Sequence, residues 1–147
     1  MSAVEKTVPL PTRVNPTVLV VGDEVLLRCA IGDHLRACGL HVLEAASAEE
    51  AVKLLTLGVE VDVVFSDVQM PGSIDGIALA CWIRKEHPSI KIILTSAATE
   101  LNWMSGERFP VIPKPYDHHE LEHCIRRLLS DSPPEGEANG QDLGRCA

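Results

Sequence analysis

The stretch VVFSDVQMPG, residues 63–72, decides how this chain is read. Two valines, a phenylalanine and a serine run into Asp67, and a Met-Pro-Gly turn begins at Met70. A short apolar run bounded by turn residues reads as a buried strand, here VDVVFS, residues 61–66. A carboxylate at the end of such a strand is either an ordinary turn residue or a group held at the rim of a sheet for its chemistry. Which reading applies depends on what the other strands carry at the same end.

Working outward, TVLVV (17–21) is a second β-branched run and HVLEA (41–45) a third. IKIILT (90–95) and the short FPVI (109–112) complete a set of five. Helical spacing fills the gaps between them. Leu27, Ala30, Ile31, Leu35 and Cys38 form one stripe, stopped by Gly39. Ser47 with Glu50 three residues on reads as a capping box opening SAEEAVKLL, which ends by Gly58. Asp75 is placed to cap GIALACWIRKEH, which Pro88 ends. From about Asp117 a last helix puts Leu121, Cys124, Ile125, Leu128 and Leu129 on one stripe. Strands alternating with helices predict an α/β domain around a parallel sheet, with right-handed crossovers placing helices on both faces.

Composition narrows the function classes. The 147 residues suit one domain, and 46% apolar content makes it globular. Aromatics are only 3%, so the core must be aliphatic. A net charge of −8 argues against general nucleic-acid or anionic-membrane binding, both of which reward basic patches. Five cysteines (29, 38, 81, 124 and 146) are odd in number and include no C-x-x-C pair, which fits reduced thiols in a cytoplasmic protein. No stretch has the length or apolarity of a signal peptide or membrane span. Residues 1–15 read as a flexible lead, 16–130 as the domain, and 131–147 as a disordered acidic tail.

In open parallel sheets, ligands bind beyond the carboxyl ends of the strands, where the strand order reverses. At those ends stand Gly22 and Asp23 after the first strand, Asp67 after the third, Thr95 and Ser96 after the fourth, and Lys114 with Pro115 after the fifth. Two carboxylates can hold Mg²⁺. A lysine and a hydroxyl can neutralise and bond phosphoryl oxygens, which is most of what phosphoryl transfer requires. Asp67 would then be the nucleophile, forming an aspartyl phosphate.

The segments VLVVGDE, VVFSDVQMPGSIDGIALA, IILTSAA and VIPKPY, in this order, resemble the signatures of bacterial two-component response-regulator receiver domains. The resemblance covers about residues 16–130 and suggests a stand-alone, single-domain receiver. It implies a flavodoxin-like, doubly wound five-stranded parallel sheet of order 2-1-3-4-5. It also implies that Asp67 is the phosphoacceptor, that Asp23, Asp67 and the backbone carbonyl of Gln69 bind Mg²⁺, and that Thr95 is the switch hydroxyl. Lys114 matches the family lysine, with a cis bond to Pro115. The partners implied are a sensor histidine kinase or histidine phosphotransfer protein, and an unknown downstream protein at the face of the family's fourth helix, fifth strand and last helix. Neither direct nucleic-acid contact nor membrane insertion is implied, and the chain would be a phosphoacceptor that assists its own phosphorylation and dephosphorylation, not a turnover enzyme.

Three departures stand out. Gly22 replaces an acidic residue, which should weaken Mg²⁺ binding. Val111 replaces the switch aromatic. The stretch from Thr95 to Lys114 is short, so the family's fourth helix should be short or irregular. Gln69 and Ala97 occupy the positions that tune phosphoryl lifetime, and they suggest a group not removed unusually fast. Two alternatives stay open: a receiver-like docking module independent of phosphate, motivated by Gly22 and Val111, and a Mg²⁺-dependent phosphatase of the haloacid-dehalogenase type. The second is disfavoured because Gln69 stands where its general-acid aspartate belongs. HHELEHC (118–124) offers His119 and His123 four apart, but with no clear third ligand it reads as a solvated helix face. Trp82 and Trp103 read as packing or partner-contact residues.

Overall fold

The computed structural model of the protein describes residues 15–98, 101, 103 and 106–130. The expected lead up to residue 14, the tail from 131 with Cys146, and residues 99, 100, 102, 104 and 105 lie outside the described residues. The strands are β1 (Thr17–Val21), β2 (His41–Ala45), β3 (Val63–Asp67), β4 (Lys91–Ser96) and β5 (Val111–Pro113). The helices are α1 (Val25–Ala37), α2 (Ala48–Thr56), α3 (Gly76–Glu86) and α4 (His118–Ser130). All strand pairs are parallel and the order is β2-β1-β3-β4-β5, the doubly wound arrangement expected. Among the described residues between β4 and β5 there is no α-helix.

Helices on both faces bury β1 and β3 along their whole length, so apolar residues run without alternation through Val18–Val21 and Val63–Phe65 and only the strand ends are polar. The pleat divides them between two cores. Leu19, Val21 and Val64 pack under α2 and α3 against Leu55, Leu79 and Ile83. Val18, Val20, Val63 and Phe65 pack under α1 and α4 against Ile31, Leu35, Leu121 and Ile125. Each fully enclosed leucine contributes on the order of 2 kcal/mol. Leu101 and Trp103 pack against the first core, and the Trp103 ring lies 6.1 Å from that of Phe109.

The capping expectations hold in detail. Ser47 Oγ accepts from Glu50 N at 3.1 Å, while the Glu50 carboxylate reaches back to Ala46 N at 2.7 Å. Asp75 Oδ1 accepts from Ala78 N at 2.9 Å. The α1 stripe faces the core as expected through Leu27, Ile31, Leu35 and half-buried Cys38; of the five only Ala30 is exposed, and Gly32 is buried beside the Glu44 carboxylate on β2. The third, fourth and fifth strands each end one residue later than expected, which brings Asp67 itself into β3.

Gly76, the first residue of α3, is where the helix meets the sheet. Its amide donates to Val68 O at 2.8 Å. A Cβ there would overlap the carbonyl oxygen of Asp67 and lie 2.8 Å from Val68 Cα. Backbone cannot yield as a flexible side chain can, so the close approach of α3 to the end of β3 requires glycine. Gly76→Ala is therefore expected to cost about 1–3 kcal/mol or more, read as a lowered urea midpoint; an unchanged midpoint would show that the contact is dispensable.

Candidate functional site

The rim holding Asp67 is assembled by strand register. Asp67 at the end of β3 is opposite Thr95 on β4, and Thr95 is in turn opposite Ile112 on β5. Val21, the last residue of β1, is opposite Ser66. The first two residues beyond β1, Gly22 and Asp23, therefore arrive at the same edge as Asp67. Asp67 is 8% exposed, and a carboxylate that enclosed needs partners.

Its main partner is Lys114, whose Nζ lies 2.9 Å from Asp67 Oδ1. The Lys114–Pro115 bond is cis, as the resemblance implied. The other carboxylate oxygen, Oδ2, faces Gly22, where an added Cβ would sit 3.1 Å away. Gly22 thus puts no side chain beside Oδ2, and a Cβ there would press on that oxygen. Asp23 and Gln69 are exposed next to it in sequence. Asp67 Oδ2, the Asp23 carboxylate and the Gln69 carbonyl, at the ends of neighbouring strands, are oxygen donors of the hard kind Mg²⁺ prefers. The residues present therefore fit that ion, with one carboxylate fewer than an acid at position 22 would provide.

Thr95 is brought beside Asp67, but it is buried and its hydroxyl donates to Ile112 O at 2.8 Å. It is bonded to the β5 backbone in this conformation. Val111 is half-buried on β5 and packs against the first core, so no aromatic ring occupies that position. Ser66 Oγ donates to Asp67 O at 2.8 Å, satisfying a buried hydroxyl locally.

Two residues not singled out from sequence complete the surroundings. A narrow cleft beside Asp67 is lined by Gly22, Glu24, Leu27, Arg28, Phe65 and Tyr116. Arg28 donates to Gly22 O at 2.7 Å and to Glu44 Oε1 at 3.1 Å. It therefore fixes the β1–α1 turn and brings a guanidinium to the site. Tyr116 packs edge-on against Phe65, with ring centroids 5.7 Å apart. Burial, then the charges of Asp67 and Glu24, push its phenol well above the usual tyrosine range. The signals were present but weak: Arg28 lies one helical turn into α1, and Tyr116 directly follows Lys-Pro.

The turn after Asp67 is anchored from α2. Glu49 Oε2 accepts from Ser73 Oγ at 2.6 Å, Ser73 N at 2.7 Å and Ile74 N at 3.3 Å. The Ser73 hydroxyl, followed by backbone amides, holds the Glu49 carboxyl below its usual value. Because the folded-state pKa is depressed, this anchoring is complete above the ordinary glutamate pKa near 4.3 and is lost as pH falls through the lower folded-state value. Amide exchange at Ser73 and Ile74 is expected to accelerate relative to the core over that acidic range. In Glu49→Gln the amides should lose this pH dependence; unchanged behaviour would show that another contact anchors the turn.

Comparison with known proteins agrees with this fold. The family model described as response regulator receiver domain matches residues 18–126. The chain is 38% identical over 136 residues to the sensor kinase CckA of Brucella abortus, covering 88% of this chain and 14% of that protein. It is 31% identical to the DNA-binding transcriptional regulator NtrC of Klebsiella pneumoniae, covering 76% of this chain and 24% of that protein. It thus spans a quarter or less of the length of these two relatives. Among solved structures, the response regulator TrrA of Thermotoga maritima, in complex with Mg²⁺–BeF, superposes with a TM-score of 0.68 at 31% identity. That match covers 77% of this chain and 98% of TrrA.

Proposed function

Because the chain belongs to the response regulator receiver domain family, a family of phosphoacceptor switches in two-component signalling, we propose that Asp67 accepts a phosphoryl group from a histidine kinase or histidine phosphotransfer protein. The observation that carries this reading is the placement of a nearly enclosed carboxylate 2.9 Å from Lys114, with its second oxygen facing Gly22, which has no side chain to cover it.

In the proposed reaction an Asp67 oxygen attacks phosphorus as the bond from phosphorus to the donor imidazole nitrogen breaks. The imidazole leaves and an aspartyl phosphate remains. Lys114 holds the carboxylate in place beforehand and afterwards offers its ammonium to the phosphoryl oxygens. Asp67, Asp23 and the Gln69 carbonyl would hold Mg²⁺, which when bound neutralises phosphoryl charge. The Thr95 hydroxyl would exchange Ile112 O for a phosphoryl oxygen. That exchange would release a bond to the β5 backbone and so connect the chemistry to the sheet edge, where a downstream protein would read it. The chain acts by protein contact or as a phosphate shuttle, and it is not a turnover enzyme.

The open position at Gly22 and the Thr95–Ile112 bond also favour a second reading, a docking module that does not depend on phosphate. Intact-mass spectrometry after incubation with Mg²⁺ and acetyl phosphate separates the two. A single Mg²⁺-dependent phosphoryl adduct, absent in Asp67→Asn, is the expected result. No adduct, together with no detectable Mg²⁺ binding, would leave the docking reading standing.

Gly22→Asp is expected to tighten Mg²⁺ binding about tenfold, the scale of one added charge a few ångströms from a divalent ion in a water-like dielectric. Without Mg²⁺ the same variant should be less stable than the parent, since its carboxylate would face Asp67 Oδ2. Titration of the ion against Tyr116 or tryptophan fluorescence checks the first effect, and thermal unfolding with and without Mg²⁺ checks the second. An unchanged affinity would show that position 22 does not limit the site.

A further inference from the structure

On the face of the sheet covered by α1 and α4, well along α1 from the strand ends, a second group of metal-ligating side chains comes together. His34 and Cys38 are four residues apart on α1 and so share one helix face. Glu122 projects from α4 toward them. One ligand atom from each of the three lies within 4.8 Å of the others, and all three residues are half-buried. Cys38 Sγ and His34 Nε2 are 3.6 Å apart. Bonds of 2.0–2.3 Å in a tetrahedral zinc site put neighbouring ligand atoms roughly 3.5 Å from one another. The α1 pair already has that separation, and modest side-chain rotation brings in the glutamate. The His118 and His119 rings, with centroids 5.5 and 5.0 Å from that of His34, bring further imidazoles to the same spot.

We propose that His34, Cys38 and Glu122 form a transition-metal site of Zn²⁺ type that clips α1 to α4, with its fourth position open to water or a neighbouring imidazole. The mixed sulfur, nitrogen and oxygen set suits Zn²⁺ and differs in kind from the all-oxygen set at Asp67. The proposal is independent of the phosphoacceptor reading.

The surroundings set the terms of binding. Arg126 Nε donates to Glu122 Oε2 at 2.8 Å, and Arg126 Nη2 donates to Cys38 O. One guanidinium thus holds Glu122 and the end of α1 together from outside the group. Its positive charge weakens cation binding, and the carboxylate and a thiolate offset it. Burial and the adjacent Glu122 raise the Cys38 thiol above its usual value. Without metal the sulfur therefore keeps its proton. On binding, the S–H bond breaks, a sulfur–metal bond forms and the proton goes to solvent. The sequence pair His119 and His123 gains no third ligand, since among the described residues this is the group in which three such side chains meet.

The test uses the full chain, reduced, titrated first with Co²⁺ and then with Zn²⁺. The expected result is a saturable one-to-one charge-transfer band of cobalt thiolate that Zn²⁺ displaces, and a melting temperature that rises with Zn²⁺. Cys38→Ser should remove the band. Glu122→Gln, at a half-buried surface position, should weaken binding by more than about tenfold, since even residues outside a metal's ligand shell commonly cost that much. Cys29→Ser, at an exposed thiol on the same helix, should leave the titration unchanged. Circular dichroism establishes that each variant is folded. No thiolate band, a band that survives Cys38→Ser, or an affinity indifferent to Glu122→Gln would overturn the assignment.

Discussion

The ion pair between Lys114 and Asp67, 2.9 Å across, is the constraint around which the rim of this sheet is organised. A carboxylate enclosed at the end of a central strand is costly without a counter-charge. The counter-charge here comes from beyond β5, two strands away. Neighbouring strands lie about 4.8 Å apart, so the ammonium must cross roughly 10 Å, which suits the long, flexible stem of lysine. The sheet order, the length of β5 and the turn through the cis Lys114–Pro115 bond all have to be right for that contact to exist.

The side of the rim toward β1 is balanced differently. Gly22 removes a negative charge beside Asp67 and at the same time leaves its carbonyl to Arg28, which also pairs with Glu44 on β2. The guanidinium ties the β1–α1 turn to β2 beside the cleft. Tyr116 shuts the other wall and is itself backed by Phe65. Asp67 thus has a cation on one oxygen and a residue without a side chain, Gly22, facing the other. That asymmetry suits the phosphoacceptor role proposed for Asp67, with one oxygen held and the other left to react.

Both connections that leave the site carry it into the body of the fold. On the β3 side, Gly76 brings the start of α3 into contact with the Asp67 backbone, while Glu49 from α2 pins Ser73 and Ile74 of the intervening turn. On the β4 side, the Thr95 hydroxyl joins Ile112 on the edge strand. The first connection is close-packed backbone that cannot shift far. The second is one side-chain hydrogen bond, free to exchange partners by rotation about χ1. Under the proposed phosphorylation, a shift of the Thr95 hydroxyl would therefore be passed toward β5 more easily than toward α3.

The sequence alone determined the alternation of strands and helices, the caps at Ser47 and Asp75, and the arrival of Asp23, Asp67, Thr95 and Lys114 at strand ends. Each of these is written in local periodicity or turn chemistry, which needs no distant partner to be legible. It also marked Gly22 and Val111 as departures from the family pattern. The tertiary structure decided what each group faces. On α1 it left Ala30 exposed and buried Gly32 beside the Glu44 carboxylate, while Leu27, Ile31 and Leu35 faced the core as read. It bonded the Thr95 hydroxyl to Ile112, brought Arg28 and Tyr116 to the cleft, and set His34 and Cys38 against Glu122, 84 positions beyond Cys38 in the chain. Those contacts join residues on different elements, and only the packing of helices on a sheet of fixed order fixes which side chains meet.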